Sequence, residues 1–317
     1  MFLKGEKLLM NKSLSIIIPT FNAEKYLSNL LDKITFQTIQ NYELIIIDSS
    51  SDDRTIEIAK QYTNKIIIIS KNEFDHGGTR AKAVKYARGD ILVFLTQDAL
   101  PYNQFSLENI VRVFEDKNVS AAYGRQISYA ETNLFGKHLR QFNYPEVSSI
   151  KSKADIKTYG IKTAQLSNSF AAYRKIVLEE VGVFKDNLIL GEDVYTGAKM
   201  ILAGYKLVYT AEAKVYHSHS YTIVEEFKRY FDIGVFHKCE NWILREFGKA
   251  EGEGMKYIKS EIKYIIFNNA WYLLPEWFIR NGMKYLGYTL GKNYEQMPQY
   301  LIKLFSMHSR WWNKRNK

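Results

Sequence analysis

The feature that most constrains the fold is an alternation, from Ser13 onward, between short apolar β-rich runs and stretches with helical periodicity. Four strands are predicted at residues 14–18, 43–47, 66–69 and 91–95, with helices at residues 23–36, from residue 51, and at residues 78–87. Strands that are apolar on both faces and separated by helices build a parallel sheet covered by helices on both sides. The sequence therefore predicts an α/β fold, in which ligands bind at the carboxyl ends of the strands.

Polar residues follow each of these four strands. In strand order they are Pro19 and Thr20, Asp48 and Asp53, Arg80 with the glycine pair before it, and Thr96, Gln97 and Asp98. Each has an ordinary explanation as part of a helix cap or a turn. Because four successive strand ends meet at one edge of a parallel sheet, the sequence predicts a nucleotide-handling site at that edge.

A second candidate site is the acidic pair Glu192 and Asp193, which begins a segment of helical periodicity over residues 190–203. A carboxylate in the first turn of a helix is held by backbone N–H groups and the helix dipole, so it can act as a rigid general base. Acids also occupy first turns simply because they stabilise helix N-termini. The pair on its own leaves both interpretations open.

The second part of the chain, from about Ala121, is less regular. Strands are predicted at residues 167–173, 206–209 and 213–216, and the last ends beside His217 and His219. From Tyr221 the pattern is helical and dense in aromatic residues, which indicates a packed helical core, with a membrane-facing or sugar-facing surface as the alternative. We expect a first domain over residues 1–220 and a helical C-terminal region over residues 221–317.

Composition limits the class of protein. The 317 residues suffice for one large domain or two small ones. A single cysteine, Cys239, excludes an intramolecular disulfide and fits a reducing compartment. The sequence contains no apolar run of secretory type or of membrane-spanning length, so a cytoplasmic protein, soluble or peripheral to a membrane, is expected.

The net charge is +10, and five cations without an acid lie between Lys303 and Lys317, beside Trp311 and Trp312. Cations next to tryptophan suit an anionic membrane surface, with a solvated tail as the ordinary alternative. A nucleic-acid partner is disfavoured, because the chain has no helix-turn-helix, zinc or aromatic ribonucleoprotein motif. The expected location is therefore the inner face of the cell membrane.

Eight short motifs occur in the order found in one enzyme family. They are F-D-H-G-G-T-R, F-L-T-Q-D-A, A-Y-G-R-Q, F-N-Y-P, L-S-N-S-F-A-A-Y-R, G-E-D-V-Y, H-S-H-S-Y and F-K-R-Y-F-D-I-G-V-F-H. On these motifs the chain resembles the family 2 glycosyltransferases of GT-A fold, and among them the rhamnosyltransferases. The resemblance implies a GT-A nucleotide-sugar-binding fold with a helical C-terminal region. It also implies inverting transfer of L-rhamnose from dTDP-L-rhamnose to a cell-surface polysaccharide or lipid-linked glycan precursor.

The resemblance assigns roles to residues. Asp48 is expected to bind the nucleobase, with Asp53 supporting its loop, since a carboxylate can accept the N3–H shared by uracil and thymine. Arg80 is expected near the nucleotide or diphosphate, where a guanidinium matches phosphate oxygens. The other donor-binding residues implied are Pro19, Thr20, Thr96, Gln97 and Arg229. Where family members continue T-R-N after the glycine pair, this chain has Ala81.

The metal-binding D-x-D motif of the family aligns with Thr96-Gln97-Asp98, so only its last aspartate is present. The resemblance implies that Asp98 holds Mg²⁺ or Mn²⁺ together with diphosphate oxygens and a histidine, His217 first and His219 in reserve. The missing carboxylate often meets the ribose in family members. Thr96 in its place is compatible with a deoxyribose donor.

In the implied reaction, Asp193 removes the proton of an acceptor hydroxyl as its oxygen attacks the anomeric carbon, and the configuration inverts. Glu192 is expected to orient Asp193 or the acceptor, because only one of two adjacent helix residues faces the cleft. Two alternatives stay open. One is the same fold with a UDP-hexose donor, and the other is a non-catalytic nucleotide-sugar or glycan-binding module, which the incomplete D-x-D motif supports.

Overall fold

The computed structural model describes residues 13–248 and 251–315. These residues form two compact units. The first contains the described residues up to Tyr129 together with Tyr144–Asp186 and Glu192–His217, and the second contains Ala130–Asn143, Asn187–Gly191 and the residues from Ser218 onward. The second unit thus takes two short segments from inside the predicted first domain.

The first unit is built on a nine-stranded sheet. Its strands are β1 (Leu14–Thr20), β2 (Tyr42–Asp48), β3 (Ile66–Ile68), β4 (Ile91–Leu95), β5 (Leu100–Pro101), β6 (Val119–Ile127), β7 (Ser149–Lys151), β8 (Phe170–Arg174) and β9 (Lys206–Tyr216). The order is β3-β2-β1-β4-β8-β6-β9-β5, and β7 pairs with β9. The first four strands pair in parallel, whereas β8 runs antiparallel to both β4 and β6. The predicted parallel arrangement of the first four strands is confirmed.

Helices flank the sheet and make up the second unit. In chain order they are α1 (Glu24–Thr35), α2 (Thr55–Lys60), α3 (His76–Val84), α4 (Ser106–Val111), α5 (Leu134–Asn143), α6 (Ile156–Tyr159), α7 (Lys175–Glu180), α8 (Glu192–Leu202), α9 (Ile223–Cys239), α10 (Asn241–Phe247), α11 (Glu251–Phe267), α12 (Leu274–Lys292), α13 (Gln299–Phe305) and α14 (Ser309–Arg315). Helices α5 and α9 to α14 belong to the second unit, and the others to the first.

A hydrophobic core lies between the sheet and α1. Ile16 and Ile18 of β1 and Val93 of β4 pack with Leu27 and Leu31 of α1, and all five are fully buried. Burying each such side chain contributes roughly 1.5–3 kcal/mol relative to exposure. This packing fixes β1 and β4 side by side, so the polar residues that follow them come to the same edge of the sheet.

Strand β9 is a single element where the sequence predicts two short strands. Its pairing with β6 shifts register, because Gly124 faces Thr210 whereas the next residue, Arg125, faces Lys214. The extra residues of β9 form a bulge, which interrupts the apolar pattern without ending the strand. Strand β6 is not predicted at all, since Gly124 and Arg125 break its apolar run.

Helices α9 and α12 form the centre of the second unit, where glycines allow their backbones to approach closely. A Cβ on Gly291 would lie 2.0 Å from the Phe231 carbonyl oxygen, and one on Gly287 would lie 2.4 Å from the Phe227 carbonyl oxygen. Such distances exclude any side chain at these two positions. The helical region from Tyr221 is therefore a packed core along this contact, as the sequence predicts.

Helix α14 packs on other residues of the second unit. Trp312 is 4% exposed, and its ring lies 5.2 Å from the ring of Tyr294. The Trp311 indole N–H donates to the Asn187 carbonyl oxygen at 3.0 Å. The prediction that this tryptophan pair meets a membrane surface is wrong for Trp312, because its ring is buried against Tyr294. Lys317, the last cation of the predicted membrane-binding segment, lies outside the described residues. Across the described ranges, no helix is both long and apolar enough to cross a membrane.

Candidate active site

Asp48, the last residue of β2, is fully buried and organises the loops at this edge of the sheet. Its carboxylate accepts hydrogen bonds from the Thr20 hydroxyl at 2.7 Å, the Ser51 hydroxyl at 2.7 Å and the Ser51 backbone N–H at 2.8 Å. These bonds use three of the about four acceptor positions that a carboxylate offers. Asp48 thus ties the end of β1 to the loop after β2. Its contact with a nucleobase stays a prediction.

Asp53 supports the same loop from the other side. Its carboxylate accepts from the backbone N–H groups of Glu24 and Thr55, each at 3.0 Å, and from the Thr55 hydroxyl. Desolvation works to raise the pKa of Asp53, but the hydrogen bonds from Thr55 and the backbone outweigh it and leave the pKa below its usual value. These are contacts that hold a loop, which is the supporting role the resemblance implies.

Gln97 connects the loop after β4 to the loop after β1, which begins at Phe21, directly after Pro19 and Thr20 of the strand. Its side-chain oxygen accepts from the Phe21 backbone N–H at 2.8 Å, and its amide nitrogen donates to the Phe21 carbonyl oxygen at 3.1 Å. The amide therefore makes a two-point contact with backbone. Gln97 shapes the predicted donor site through this contact, and a direct bond to the donor stays a prediction.

Three buried polar atoms in the segments after β2, β3 and β4 have no hydrogen-bond partner within the described part of the chain. They are Ser49 Oγ, Arg80 Nε and Thr96 Oγ1. A buried polar group left unsatisfied costs about 1–3 kcal/mol, so a polar ligand at this edge would be stabilised by them. The sequence analysis already names Arg80 and Thr96 as candidate site residues. It does not name Ser49, for which the position directly after Asp48 is the available signal.

Asp98 and His217 form the candidate metal centre. The His217 Nε2 lies 3.5 Å from an Asp98 carboxylate oxygen, and the imidazole is buried. The His217 Nδ1 is 2.8 Å from the Gln126 amide oxygen, while the Gln126 amide nitrogen donates to Ser167 Oγ at 2.8 Å. The Gln126 amide oxygen accepts the Nδ1–H, so Nε2, the ring nitrogen next to Asp98, is the one that carries the lone pair in the corresponding neutral tautomer.

This donor set fits a divalent cation. One carboxylate and one imidazole nitrogen suit Mg²⁺ or Mn²⁺ when substrate oxygens complete the coordination. Gln126, which orients the histidine, is missed by the sequence because strand β6 is missed. The motif A-Y-G-R-Q contains this glutamine, but neither charge nor periodicity indicates its contact with His217.

Two other predicted site residues, His219 and Arg229, belong to the second unit. The His219 ring lies 5.4 Å from the Tyr221 ring, and the Arg229 guanidinium lies over the same ring at 5.7 Å. Tyr221 is thus flanked by both side chains. The roles of His219 as the reserve metal ligand and of Arg229 at the diphosphate stay predictions.

The first acid of the pair, Glu192, is held by an ion pair. Its Oε1 lies 3.1 Å from Arg80 Nη1, and both side chains are buried. The same oxygen accepts from the Asn168 side-chain amide at 3.0 Å. Burial disfavours the ionised form of Glu192, but the charge of Arg80 and then that of His76 outweigh it, and the pKa lies below its usual value. Glu192 is therefore an anion with a structural partner.

A glycine makes this ion pair possible. A Cβ on Gly77 would lie 1.8 Å from the Lys185 carbonyl oxygen and 3.3 Å from the Glu192 Cβ, so only glycine fits at the start of α3. Arg80, one turn later on α3, donates to the His76 carbonyl oxygen at 2.9 Å. In the structure the Arg80 guanidinium pairs with Glu192. A contact of Arg80 with a diphosphate stays a prediction.

Asp193 has different surroundings. Its carboxylate accepts from the Asn168 backbone N–H at 3.2 Å and from its neighbour Val194 at 2.8 Å. Burial, and then the negative charge of Glu192, raise the pKa of Asp193 to about 7. A carboxyl group with this pKa exchanges protons near neutral pH, which is the property a general base requires.

Asn168 connects the two acids, and the sequence analysis assigns it no role. Its side-chain amide donates to Glu192, its backbone N–H donates to Asp193, and its side-chain oxygen accepts from the Tyr173 hydroxyl at 2.7 Å. Tyr173 is fully buried in β8. The motif L-S-N-S-F-A-A-Y-R holds both residues, so it was the available signal for this network.

Comparisons with known sequences agree with this arrangement. The family model described as Glycosyl transferase family 2 matches residues 15–182. The O-antigen chain rhamnosyltransferase WbaN of Salmonella anatum is 50% identical over 303 residues, which are 95% of this chain and 96% of that protein. The O-antigen chain rhamnosyltransferase RfbN of Salmonella typhimurium is 47% identical over 302 residues, 95% of this chain and 96% of that protein.

A solved structure shows the same fold. Mannosyltransferase PcManGT from Pyrobaculum calidifontis, in complex with GDP-Man and Mn²⁺, has a TM-score of 0.64 at 15% identity, covering 93% of this chain and 94% of that chain. At this identity the likeness concerns the fold. The similarity to the two Salmonella proteins, in contrast, runs through both units.

Proposed function

Because the chain belongs to glycosyltransferase family 2 and has the GT-A fold that its sequence predicted, we propose that it is an inverting rhamnosyltransferase of O-antigen synthesis. The observation that carries this proposal is the 50% identity to an O-antigen chain rhamnosyltransferase over 95% of the chain. It also argues against the non-catalytic module that the incomplete D-x-D motif left open. Neither alternative from the sequence explains an identity of this extent.

Asp193 is the general base of the proposed reaction. Its pKa of about 7 means that a large fraction is ionised near neutral pH and can still take a proton from a sugar hydroxyl. Two backbone N–H groups, from Asn168 and Val194, fix the direction of the carboxylate. The acceptor oxygen then attacks the anomeric carbon from the face opposite the nucleotide, and the configuration inverts.

Glu192 assists without exchanging a proton. Its pairing with Arg80 keeps it ionised, and its charge helps to raise the pKa of Asp193. Glu192 is therefore proposed as a positioning residue for Asp193. Asn168 holds the relative position of the two acids.

The leaving diphosphate requires positive charge. We propose that Asp98 and His217 hold Mg²⁺ or Mn²⁺, with His219 as the reserve ligand; when bound, the ion would stabilise the charge that develops on the diphosphate. Gln126 keeps His217 in the tautomer that presents Nε2. Arg229 remains the proposed cation from the second unit.

The proposed donor is dTDP-L-rhamnose. The remaining acceptor position of Asp48 suits the N3–H of thymine. Thr96 presents a hydroxyl where a carboxylate would otherwise be available for a ribose. Pro19, Thr20, Asp53 and Gln97 shape the loops around this donor.

The acceptor is proposed to be a polyprenyl-linked glycan at the inner face of the cell membrane, where the enzyme binds peripherally. The names of the two Salmonella relatives, O-antigen chain rhamnosyltransferases, support a glycan precursor of this kind. Peripheral contact would bring the site to a lipid-linked acceptor.

The donor assignment is tested with purified protein, Mg²⁺ and a panel of dTDP-L-rhamnose, UDP-glucose and GDP-mannose. Lipid-linked glycans extracted from a strain that lacks this gene serve as acceptor, and mass spectrometry detects the product. The proposal predicts one added deoxyhexose with dTDP-L-rhamnose alone. Transfer of glucose or mannose at a comparable rate would overturn it.

A further inference from the structure

Helix α12 is inverted relative to an ordinary surface helix. Its buried positions include Arg280 and Lys284, which share the inner face of the helix with the glycines that contact α9. Its outer face carries Phe278, Ile279 and Tyr285, which are all exposed. An amphipathic helix normally turns its charges to water and its apolar residues to the core. Here Arg280 and Lys284 lie inside, whereas Phe278 and Tyr285 lie outside.

The inner charges are paired, which explains how they can be buried. Arg280 lies 3.1 Å from a Glu226 carboxylate oxygen and 2.7 Å from one of Glu276. Lys284 lies 3.5 Å from Glu226 and 3.7 Å from Glu261 of α11. A buried charge is tolerated when it has such partners. The network joins α9, α11 and α12 and holds the orientation of the outer face.

The connection between α11 and α12 is apolar on both sides. Ile265 and Ala270 are buried and pack with Phe135 of α5, and Leu274 and Trp277 pack against them. This inner side is therefore already covered by protein. The neighbouring residues on the other side are not needed for the core, yet they are large and apolar.

We use the name outer apolar face for the exposed large apolar residues at the end of α11, in the turn that follows and along α12: Phe267, Trp271, Tyr272, Phe278, Ile279 and Tyr285. Phe267 is 85% exposed, Tyr272 75%, Phe278 74% and Trp271 71%. Exposed apolar residues in a group mark interaction or membrane surfaces. Tryptophan and tyrosine have one apolar and one polar end, and they are enriched where protein meets the boundary between lipid and water.

Lysines stand beside this face. Lys256, Lys259 and Lys263 of α11 are exposed, within about three helical turns of Phe267, and Lys256 pairs with Glu253 at 2.6 Å. The acids in the sequence between Met255 and Lys292 are Glu261, which is buried, and Glu276, which pairs with Arg280. Lys263 and Phe267 line one open pocket together with Gln141, Ser260 and the rings of His138, Phe142 and Tyr264. Cationic and hydrogen-bonding groups therefore lie beside aromatic rings at the border of the apolar face.

We propose that the outer apolar face, with Lys259 and Lys263 at its border, is the surface by which this enzyme binds an anionic lipid bilayer. The aromatic side chains enter the boundary between headgroups and acyl chains, and the lysines contact lipid phosphates. This inference rests on the proposed function, which brings the enzyme to a lipid-linked acceptor. It replaces the C-terminal tryptophan pair, where Trp312 is buried, as the anchor.

Charge favours a bilayer over a second copy of the chain as the occupant. Two copies that met through this face would bring the same lysines together, and like charges in an interface oppose association. Anionic lipid, in contrast, is complementary to them. The aromatic composition fits a boundary that is apolar on one side and wet on the other.

The test is co-sedimentation of the full chain with vesicles of phosphatidylethanolamine and phosphatidylglycerol, and with phosphatidylcholine vesicles. The main variant is Trp271→Ser with Phe278→Ser, whose side chains are exposed and make no core contact described above. We expect its partition to anionic vesicles to fall about tenfold or more, since two large apolar side chains no longer leave water. Lys259→Gln and Lys263→Gln should each weaken it about fivefold at low salt.

A matched control carries Phe36→Ser and Ile176→Ser, two residues of the first unit that are 73% and 70% exposed. It should bind vesicles like the wild type. In addition, Trp271 fluorescence should shift to shorter wavelength on vesicle binding, and Trp271→Phe should lose that shift while still binding. Unchanged binding of the Trp271→Ser and Phe278→Ser variant would overturn the proposal. So would a concentration-dependent dimer that this variant abolishes, because a second copy would then be the occupant.

Rhamnosyl transfer to a detergent-dispersed acceptor separates this inference from the proposed function. The variant and the wild type should transfer equally there, because no bilayer is present. If neither the wild type nor the variant transfers rhamnose, the donor assignment fails. The proposal for the outer apolar face still holds in that case if vesicle binding depends on its residues.

Discussion

The Arg80 guanidinium lies 3.1 Å from the carboxylate of Glu192, and this ion pair gives two adjacent acids different states. Glu192 is paired and has a lowered pKa, whereas burial and the charge of Glu192 raise the pKa of Asp193 to about 7. The sequence shows two similar acids side by side. The fold makes one a fixed charge and the other a group that exchanges protons at neutral pH.

Replacing Arg80 by methionine should therefore destabilise the fold. It leaves the Glu192 carboxylate buried without its cation, and such a loss costs about 3–5 kcal/mol. Urea unfolding near neutral pH measures the effect. The matched double variant, Arg80→Met with Glu192→Gln, should recover much of the stability, and equal stability of the single variant and the wild type would contradict the assignment of this pair.

The stability of the protein should depend on the ionisation of Asp193. Its folded pKa is about 7, above the value of about 3.9 for a free aspartate, so between these values the folded state holds a proton that the unfolded chain has lost. Stability from this group therefore falls as pH rises through that window. The melting temperature of Asp193→Asn, relative to wild type, should increase from about pH 5 to about pH 8. A difference that is constant with pH would show that the pKa is not raised.

The metal centre should depend on Gln126 as well as on its ligands. Gln126→Leu removes the acceptor that fixes the tautomer of His217, and loss of such a partner typically lowers metal affinity about 10–100-fold. Calorimetric titration of Mn²⁺ in the presence of the nucleoside diphosphate measures this affinity.

Asp98→Ala should weaken binding of the diphosphate with metal much more than binding of the nucleoside alone. Equal losses for both ligands would exclude Asp98 as a metal ligand.

Two glycines of α12 provide a stability test within one helix. Gly291→Ala places a Cβ 2.0 Å from the Phe231 carbonyl oxygen, and overpacking of this kind costs typically about 1–3 kcal/mol or more. At Gly282 no atom lies within 4 Å of an added Cβ, so Gly282→Ala should stabilise the helix by about 0.8–1 kcal/mol. Thermal unfolding of both variants checks the pair. Similar effects at the two positions would argue against the close contact of α9 and α12.

The regular first part of the sheet could be predicted because its strands are continuous apolar runs. Ile91–Leu95 is predicted to the residue, since both faces of β4 are buried. Strand β6 could not be predicted, because Gly124 and Arg125 interrupt its apolar pattern at the register shift. A strand such as β4 could thus be predicted because its residues are buried on both faces. Strand β6 could not, because its formation depends on pairing with the distant strand β9.

The same limit applies to the site. Asp193 and Asp98 carry charge at strand and helix ends, which a sequence shows directly. Asn168 and Gln126 act through contacts with residues 25 and 91 positions away, which only the fold supplies. Trp271 and Tyr285 are expected in the packed helical core because burial is the usual role of aromatic residues, but both are exposed. A helical pattern alone does not tell which face of the helix lies outside.

The most direct test of the account is the single-turnover rate of rhamnosyl transfer by Asp193→Asn, measured beside the wild type with donor affinity determined in parallel. An amide keeps the shape of the side chain and cannot take the proton of the acceptor. We expect the rate of Asp193→Asn to fall by about 10²–10⁴ with donor affinity nearly unchanged, and the wild-type rate to rise with pH and level off above about pH 7. Near-normal transfer by the variant would contradict the assignment of Asp193 as the general base.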